Sequence, residues 1–155
     1  MSARDPLYNL DAARGEEQRA RMRSLEAQGV CVFCPEGAEQ LGREPPELVG
    51  THWYAVRNDF PYRGTVAHFL IVARRHVSRF QDLPDEAGAE LWAIRRSLAA
   101  RLDAVAYATV ERSGDMRLNG GSVEHLHVHF VALGPEPAQT VRFRVSARAE
   151  ADPRS

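Results

Sequence analysis

Apolar positions along the chain follow two periods. Leu91, Ile94, Leu98 and Leu102 recur at steps of three and four, which sets them on one face of an amphipathic helix. Pro84-Asp85-Glu86 makes a good entry to it, because proline presets φ and acids favour the positive end of the helix dipole. A second helix is predicted from about Asp11 to Gln28, rich in Ala, Glu, Arg and Leu and closed by Gly29. Elsewhere the period is two, or the apolar run is unbroken. His52–Arg57 (with WYAV at its centre), Val66–Ala73 (VAHFLIVA), Val105–Glu111 (VAYATVE) and Val123–Leu133 read as strands. Val141–Val145 (VRFRV) reads as an edge strand. Between the N-terminal helix and the first strand, Val30–Pro46 holds Cys-x-x-Cys, three prolines and two glycines, the composition of a loop or knuckle. The expected fold class is α+β: an antiparallel sheet of about five strands with the main helix packed on it, plus the N-terminal helix. The expected organisation is a helical extension over 1–29, a catalytic domain over 30–147 and a disordered tail over 148–155.

Composition narrows the class of partner. Twenty basic and 21 acidic residues leave a formal charge of −1, so no field steers the chain towards bulk nucleic acid. A small phosphorylated ligand stays open, since local donors recognise it. The strongly charged start lacks a signal-peptide core, and no apolar run approaches the length of a membrane helix. A cytoplasmic protein with no membrane partner is expected. The only two cysteines, Cys31 and Cys34, are three positions apart. A disulfide over so short a loop removes little chain entropy, so in a reducing compartment the pair reads as half of a metal site or as a redox motif. A thioredoxin-like motif starts a helix after a strand, whereas this pair precedes a polar, proline-rich stretch, so the metal reading ranks above the redox one.

The densest chemistry is Glu124-His125-Leu126-His127-Val128-His129-Phe130-Val131. On a strand, His125, His127 and His129 share one face while Leu126, Val128 and Phe130 share the other. The apolar face holds the register, since a one-residue slip would bury the imidazoles. Two chemistries fit three imidazoles on a rigid strand. All three bind a metal, or one is a nucleophile and its neighbours serve phosphate oxygens.

His125-Leu126-His127-Val128-His129-Phe130-Val131 resembles, at every position, the His-φ-His-φ-His-φ-φ signature (φ apolar) of the histidine triad (HIT) family. Asn58-Asp59-Phe60-Pro61-Tyr62, Gly64-Thr65, His68-Phe69-Leu70-Ile71-Val72 and Arg75-His76-Val77 look like that family's strand pair, and Gly120-Gly121-Ser122-Val123 looks like its phosphate-binding turn. The resemblance covers about Cys31 to Gly134. It implies nucleotidyl hydrolysis or transfer through a covalent nucleotidyl-histidine. His127 would be the nucleophile, attacking an α-phosphorus through Nε2 while a backbone carbonyl fixes its other nitrogen. His129 would meet the phosphate and assist proton transfer to the leaving group. Gly121 and Ser122 would hold equatorial oxygens, Asn58 or Asp59 the ribose, and His68 would approach the triad as a fourth histidine.

Some relatives, and the related galactose-1-phosphate uridylyltransferases, complete a Cys-x-x-Cys zinc site with two histidines. By that resemblance His76 and His125 join Cys31 and Cys34 around a structural zinc, with His52 as a rival ligand. Relatives are often dimers through the main helix and edge strand, so a homodimer is implied. Departures are Ala73 where many relatives have proline, Ala132-Leu133 in place of Pro-Arg, and Gly121 in place of glutamine. These bear on leaving-group contacts and substrate preference. A histidine at 129 favours hydrolysis over transfer. The leading expectation is hydrolysis of a dinucleoside polyphosphate or nucleoside phosphoramidate. The alternatives are a nucleotidyltransferase or phosphorylase of the same superfamily, a nucleotide-binding regulatory protein with little turnover, and a metal enzyme using all three triad histidines.

Overall fold

Five strands, β1 (Leu48–Val49), β2 (Trp53–Arg57), β3 (Ala67–Ala73), β4 (Ala106–Glu111) and β5 (His127–Leu133), form one antiparallel sheet in the order β1-β2-β3-β5-β4. The structure is a computed structural model and describes residues 5–135 and 140–146. The tail expected over 148–155 lies outside the described residues. Helices α1 (Glu16–Gln28), α2 (Pro35–Gln40), α3 (Asp85–Arg101) and α4 (Met116–Asn119) complete the regular elements of the described residues, with single 3-10 turns at Leu10–Ala12 and Phe80–Asp82. The class is α+β with an open antiparallel sheet, in line with the sequence.

Period two sorts each strand between two cores. Trp53, Ala55, Phe69, Ile71, Val128 and Phe130 face α3 and meet Leu91, Ile94 and Leu98. Each such aliphatic or aromatic side chain, fully buried, contributes on the order of 1.5–3 kcal/mol. Val56, Leu70 and Val72 face the opposite way, onto Leu7, Tyr8, Met22, Leu25, Val32 and Phe33. β3 is buried along its whole length because layers cover both its faces. On that second face, β3 and β5 pair Leu70 with His129 and Val72 with His127, so the histidines of β5 lie beneath the N-terminal layer.

Four elements depart from the sequence expectation. The N-terminal helix starts at Glu16 rather than near Asp11, because Ala13 is extended and Gly15 forms its N-cap after the Leu10–Ala12 turn. The knuckle over Val30–Pro46 contains α2, with Pro35 in its first turn. Residues 140–146 join no ladder. VRFRV is not an edge strand: Phe143 packs against Tyr62 and His129 instead, and that aromatic contact takes the segment across the site rather than along the sheet edge. The last strand begins at His127 rather than Val123; Leu126 N–H donates to the carbonyl of Val77, outside any strand.

Candidate active site and metal centre

A cavity of about 430 Å³ opens on the second face of the sheet, lined by His127 and His129, by Asn58 and Asp59, and by Gly120 and Ser122. β5 projects both imidazoles into it, with ring centroids 5.1 Å apart. The Gly120–Val123 turn that forms one rim is tied to the N-terminal segment, since Asn9 N–H donates to Ser122 O at 3.0 Å and Tyr8 bridges Val123. Gly120 takes φ +78°, and a Cβ there would lie 2.7 Å from the carbonyl oxygen of Ser146, so only glycine fits. Gly121 does not line the cavity; its N–H donates to Asn119 Oδ1 at 2.9 Å.

Hydrogen bonds fix which nitrogen of each imidazole carries its proton. His127 Nδ1–H donates to the carbonyl of His125 at 2.7 Å, which leaves the lone pair on Nε2. His68 Nδ1 accepts from Tyr62 N–H at 3.1 Å, so its proton sits on Nε2. That Nε2–H donates to His129 Nδ1 at 2.9 Å. In neutral His129 the proton is therefore on Nε2, a buried donor with no partner among the described residues. His68 does not line the cavity; it lies behind His129. Desolvation pushes His68 and His127 down to about 4, and His129 well below its ordinary 6.5, with neighbouring histidine and arginine charge adding to the shift. At neutral pH the site holds one uncharged imidazole with a free lone pair and one uncharged imidazole with a free N–H.

Asp59 accepts from Arg21 at 2.5 Å and Arg43 at 3.0 Å, so Asn58 is the less committed of the two candidates. Its Oδ1 accepts from Phe60 N–H at 3.0 Å and its amide nitrogen lies 3.2 Å from His68 Nε2. Sequence reasoning missed four residues around His129: Arg14, Tyr62 as a stacking partner, Arg112 and Phe143. Tyr62 stands inside the Asn58–Tyr62 motif and was the only one within reach of pattern reading. The other three carry no local signal.

Beside the cavity, Cys31, Cys34, His76 and His125 bring one ligand atom each to within 4.8 Å of one another. Cys31 Sγ is 3.4 Å and Cys34 Sγ 3.7 Å from His125 Nδ1, and Cys34 Sγ is 3.2 Å from His76 Nδ1. Both histidines turn Nδ1 to the centre because Nε2 is engaged behind, in His76 with Glu124 Oε2 at 2.6 Å and in His125 with the carbonyl of Ala73 at 2.6 Å. Such outer partners fix tautomer and ring orientation in metal sites. The knuckle is pinned by tyrosines: Tyr8 Oη donates to Val30 O and accepts from Val32 N–H, and Tyr54 Oη donates to Phe33 O. Burial pushes the Cys31 thiol up to about 12 and the Cys34 thiol upward too, so a bare pair stays protonated and a cation is needed to make it thiolate. This group can hold a metal ion. His52 lies outside it. No helix of the described residues is long and apolar enough to cross a membrane.

The model of the HIT domain matches residues 50–135. No curated protein matches the chain. Among solved structures, the chain is similar to a histidine triad protein from Clostridium difficile, with 20% identity, TM-score 0.50 and coverage of 69% of this chain and 96% of that one. It is similar to a Zn-bound histidine triad family protein from Mycobacterium smegmatis, with 23% identity, TM-score 0.51 and coverage of 73% and 82%. It is also similar to a histidine triad nucleotide-binding protein from Candida albicans, with 17% identity, TM-score 0.52 and coverage of 75% and 86%. At these identities the likeness concerns the fold.

Proposed function

The chain belongs to the histidine triad (HIT) family, and from that premise we propose that it is a nucleotide hydrolase working through a covalent nucleotidyl-histidine on His127. One observation carries the proposal: His127 donates Nδ1–H to the carbonyl of His125, which leaves a neutral Nε2 lone pair at the cavity. Burial keeps that ring neutral far below pH 7, so the nucleophile needs no separate base.

Nε2 of His127 forms a bond to the α-phosphorus of a bound nucleotide as the bond from phosphorus to the leaving group breaks, its electron pair departing with the leaving atom. His129 Nε2–H donates a hydrogen bond to that departing atom. Ser122, on the cavity rim, would hold the equatorial oxygens, where oriented donors stabilise developing charge best, and Gly121, whose N–H is taken by Asn119 Oδ1, would shape the turn. Asn58 would meet the ribose, with Asp59 behind it held by two arginines. Water then bonds to phosphorus, the P–N pair returns to His127 Nε2, and the proton lost by water passes to solvent. His68 is a positioning residue, keeping the proton of His129 on the cavity side.

Zinc is the metal proposed for Cys31, Cys34, His76 and His125. The sulfur-to-nitrogen separations of 3.2–3.7 Å suit ligands arranged around one tetrahedral ion with bonds of about 2.0–2.3 Å. Four protein ligands leave no open position, so the ion would be structural, tying the knuckle to the residue two places before the nucleophile. A homodimer through α3 and β4 is proposed on the resemblance, where Trp92 and Tyr107 are exposed; sedimentation of the purified chain tests it.

The decisive experiment is intact-protein mass after brief mixing with diadenosine tetraphosphate or adenosine 5′-phosphoramidate, quenched with denaturant at alkaline pH so that the P–N bond survives. An adduct of the mass of an adenylyl group is expected in the wild type and absent in His127→Ala. An adduct that survives in His127→Ala would end the assignment. So would zinc content that falls with His127→Ala but stays with Cys31→Ser, which marks a catalytic metal on the triad.

A further inference from the structure

His129 sits between two aromatic rings, and each ring carries a guanidinium. Tyr62 stacks on the imidazole at 5.5 Å and 16°, and Phe143 meets it edge-on at 5.3 Å and 74°. Arg14 lies 4.2 Å over the ring of Tyr62, and Arg112 lies 3.8 Å over that of Phe143. Arg14 donates to the carbonyl of Phe60 and Arg112 to that of Arg144. Each is thus anchored through part of its five-donor fork, with the rest of the fork left over.

Charge sets these two apart from their neighbours. Arg21 and Arg43 share Asp59. Neither Arg14 nor Arg112 has a carboxylate partner among the described residues. Among the described residues the cavity wall holds six arginines and one acid, Asp59. Desolvation lowers the pKa of Arg14 and Arg112, the mark of cations drawn partly out of water without a counter-charge. Planar forks in that state suit phosphate oxygens, which they bind in pairs.

We propose that Arg14 and Arg112 are specificity-determining residues that clamp the leaving group, so that the preferred substrate is a nucleotide whose α-phosphate continues into a chain of two or more further phosphates. This rests on the assignment of His129 to the leaving group made above. A phosphate chain departs as an anion, and two guanidiniums beside the departing oxygen stabilise it directly. An amine must take up a full proton to depart, and the neutral ring of His129 is a poor source of one. Arg14 and Phe143 both lie outside the stretch matched to the HIT domain and Arg112 lies within it, so this chain's own flanking segments supply one half of the clamp.

The test compares diadenosine tetraphosphate with adenosine 5′-phosphoramidate, which deliver the same nucleotidyl group. The measured quantity is the ratio of their kcat/KM values in wild type, Arg14→Gln, Arg112→Gln and the double variant. Charge-assisted hydrogen bonds of this kind are worth roughly tenfold or more each, so the ratio should favour the tetraphosphate in wild type and fall about 100-fold in the double variant. Arg112→Lys, which keeps charge without the fork, should fall between. Equal losses on both substrates, or a wild type that prefers the phosphoramidate, overturn the clamp and leave the nucleotidyl-histidine standing. If neither substrate gives a His127 adduct, the proposed function fails, and binding alone judges the clamp. In a His127→Ala background ATP should bind about tenfold or more tighter than AMP, with the gap closed by the arginine changes; equal affinities before those changes overturn it.

Discussion

His68 Nε2 and His129 Nδ1 face each other across 2.9 Å between neighbouring strands, with the far nitrogen of His68 held by the N–H of Tyr62. One backbone donor thereby determines, through two rings, that the cavity meets an N–H rather than a lone pair at His129. Replacing His68 by alanine removes that constraint and lets water reach Nδ1, so the His129 pKa should rise towards its ordinary value. The expected result is kcat lower by about 10- to 100-fold, KM changed far less, and an acid limb of the pH profile moved upward. Partial rescue by His68→Gln, which restores a donor, is expected. A loss of kcat with an unmoved pH profile would reduce His68 to a packing role.

Metal binding at Cys31, Cys34, His76 and His125 must displace the thiol protons that burial holds on. Apparent metal affinity should therefore fall steeply as pH falls. Cys31→Ser should lower bound zinc from one equivalent towards none and reduce Tm by roughly 10 °C, the shift expected for a few kcal/mol in a chain of this size. Elemental analysis and a thermal melt check both, and full retention of zinc by Cys31→Ser would refute the ligand set.

Stability against pH follows from the buried histidines. His68 and His127 titrate near 4 in the folded chain and near about 6.5 when unfolded. Between those values the unfolded chain binds more protons, so stability is whole above about pH 6.5 and declines as pH falls through the window towards 4. Denaturant titrations at several pH values should show that slope, and His68→Gln should flatten it.

Gly37 sits where α2 crosses the knuckle, and a Cβ there would lie 2.1 Å from the carbonyl oxygen of Cys31. Gly37→Ala must push the Cys31 peptide away. The change should cost about 1–3 kcal/mol and weaken metal binding together, whereas Gly88→Ala, where none of the described residues lies near the added methyl, should be benign. Paired melts with and without chelator separate the two effects.

Much of this architecture was readable because alternation encodes faces directly. Val128 and Phe130 had to oppose His127 and His129, and they do, on opposite cores. The helix face of Leu91, Ile94 and Leu98 was equally plain. Alternation in VRFRV misled, because a period of two states that a segment is extended and says nothing about whether it finds a partner. His125 belongs with the triad in sequence, yet its ring turns to Cys31 and His76, since the ladder starts only at His127. Arg14 and Arg112 were invisible for a different reason: each reaches the site by a long side chain from a stretch whose own pattern is silent about it.

The wall around His129 is divided between two kinds of chain. The histidines stand on a central ladder that tolerates little change, whereas Arg14, Phe143 and Arg144 ride on segments outside the matched domain and outside the sheet. Mutational drift in those borders can reshape what the cavity accepts while the imidazoles stay where they are. Two relatives with identical triads can therefore diverge in diet without any change in chemistry, and the borders, rather than the signature, are where their histories should be compared.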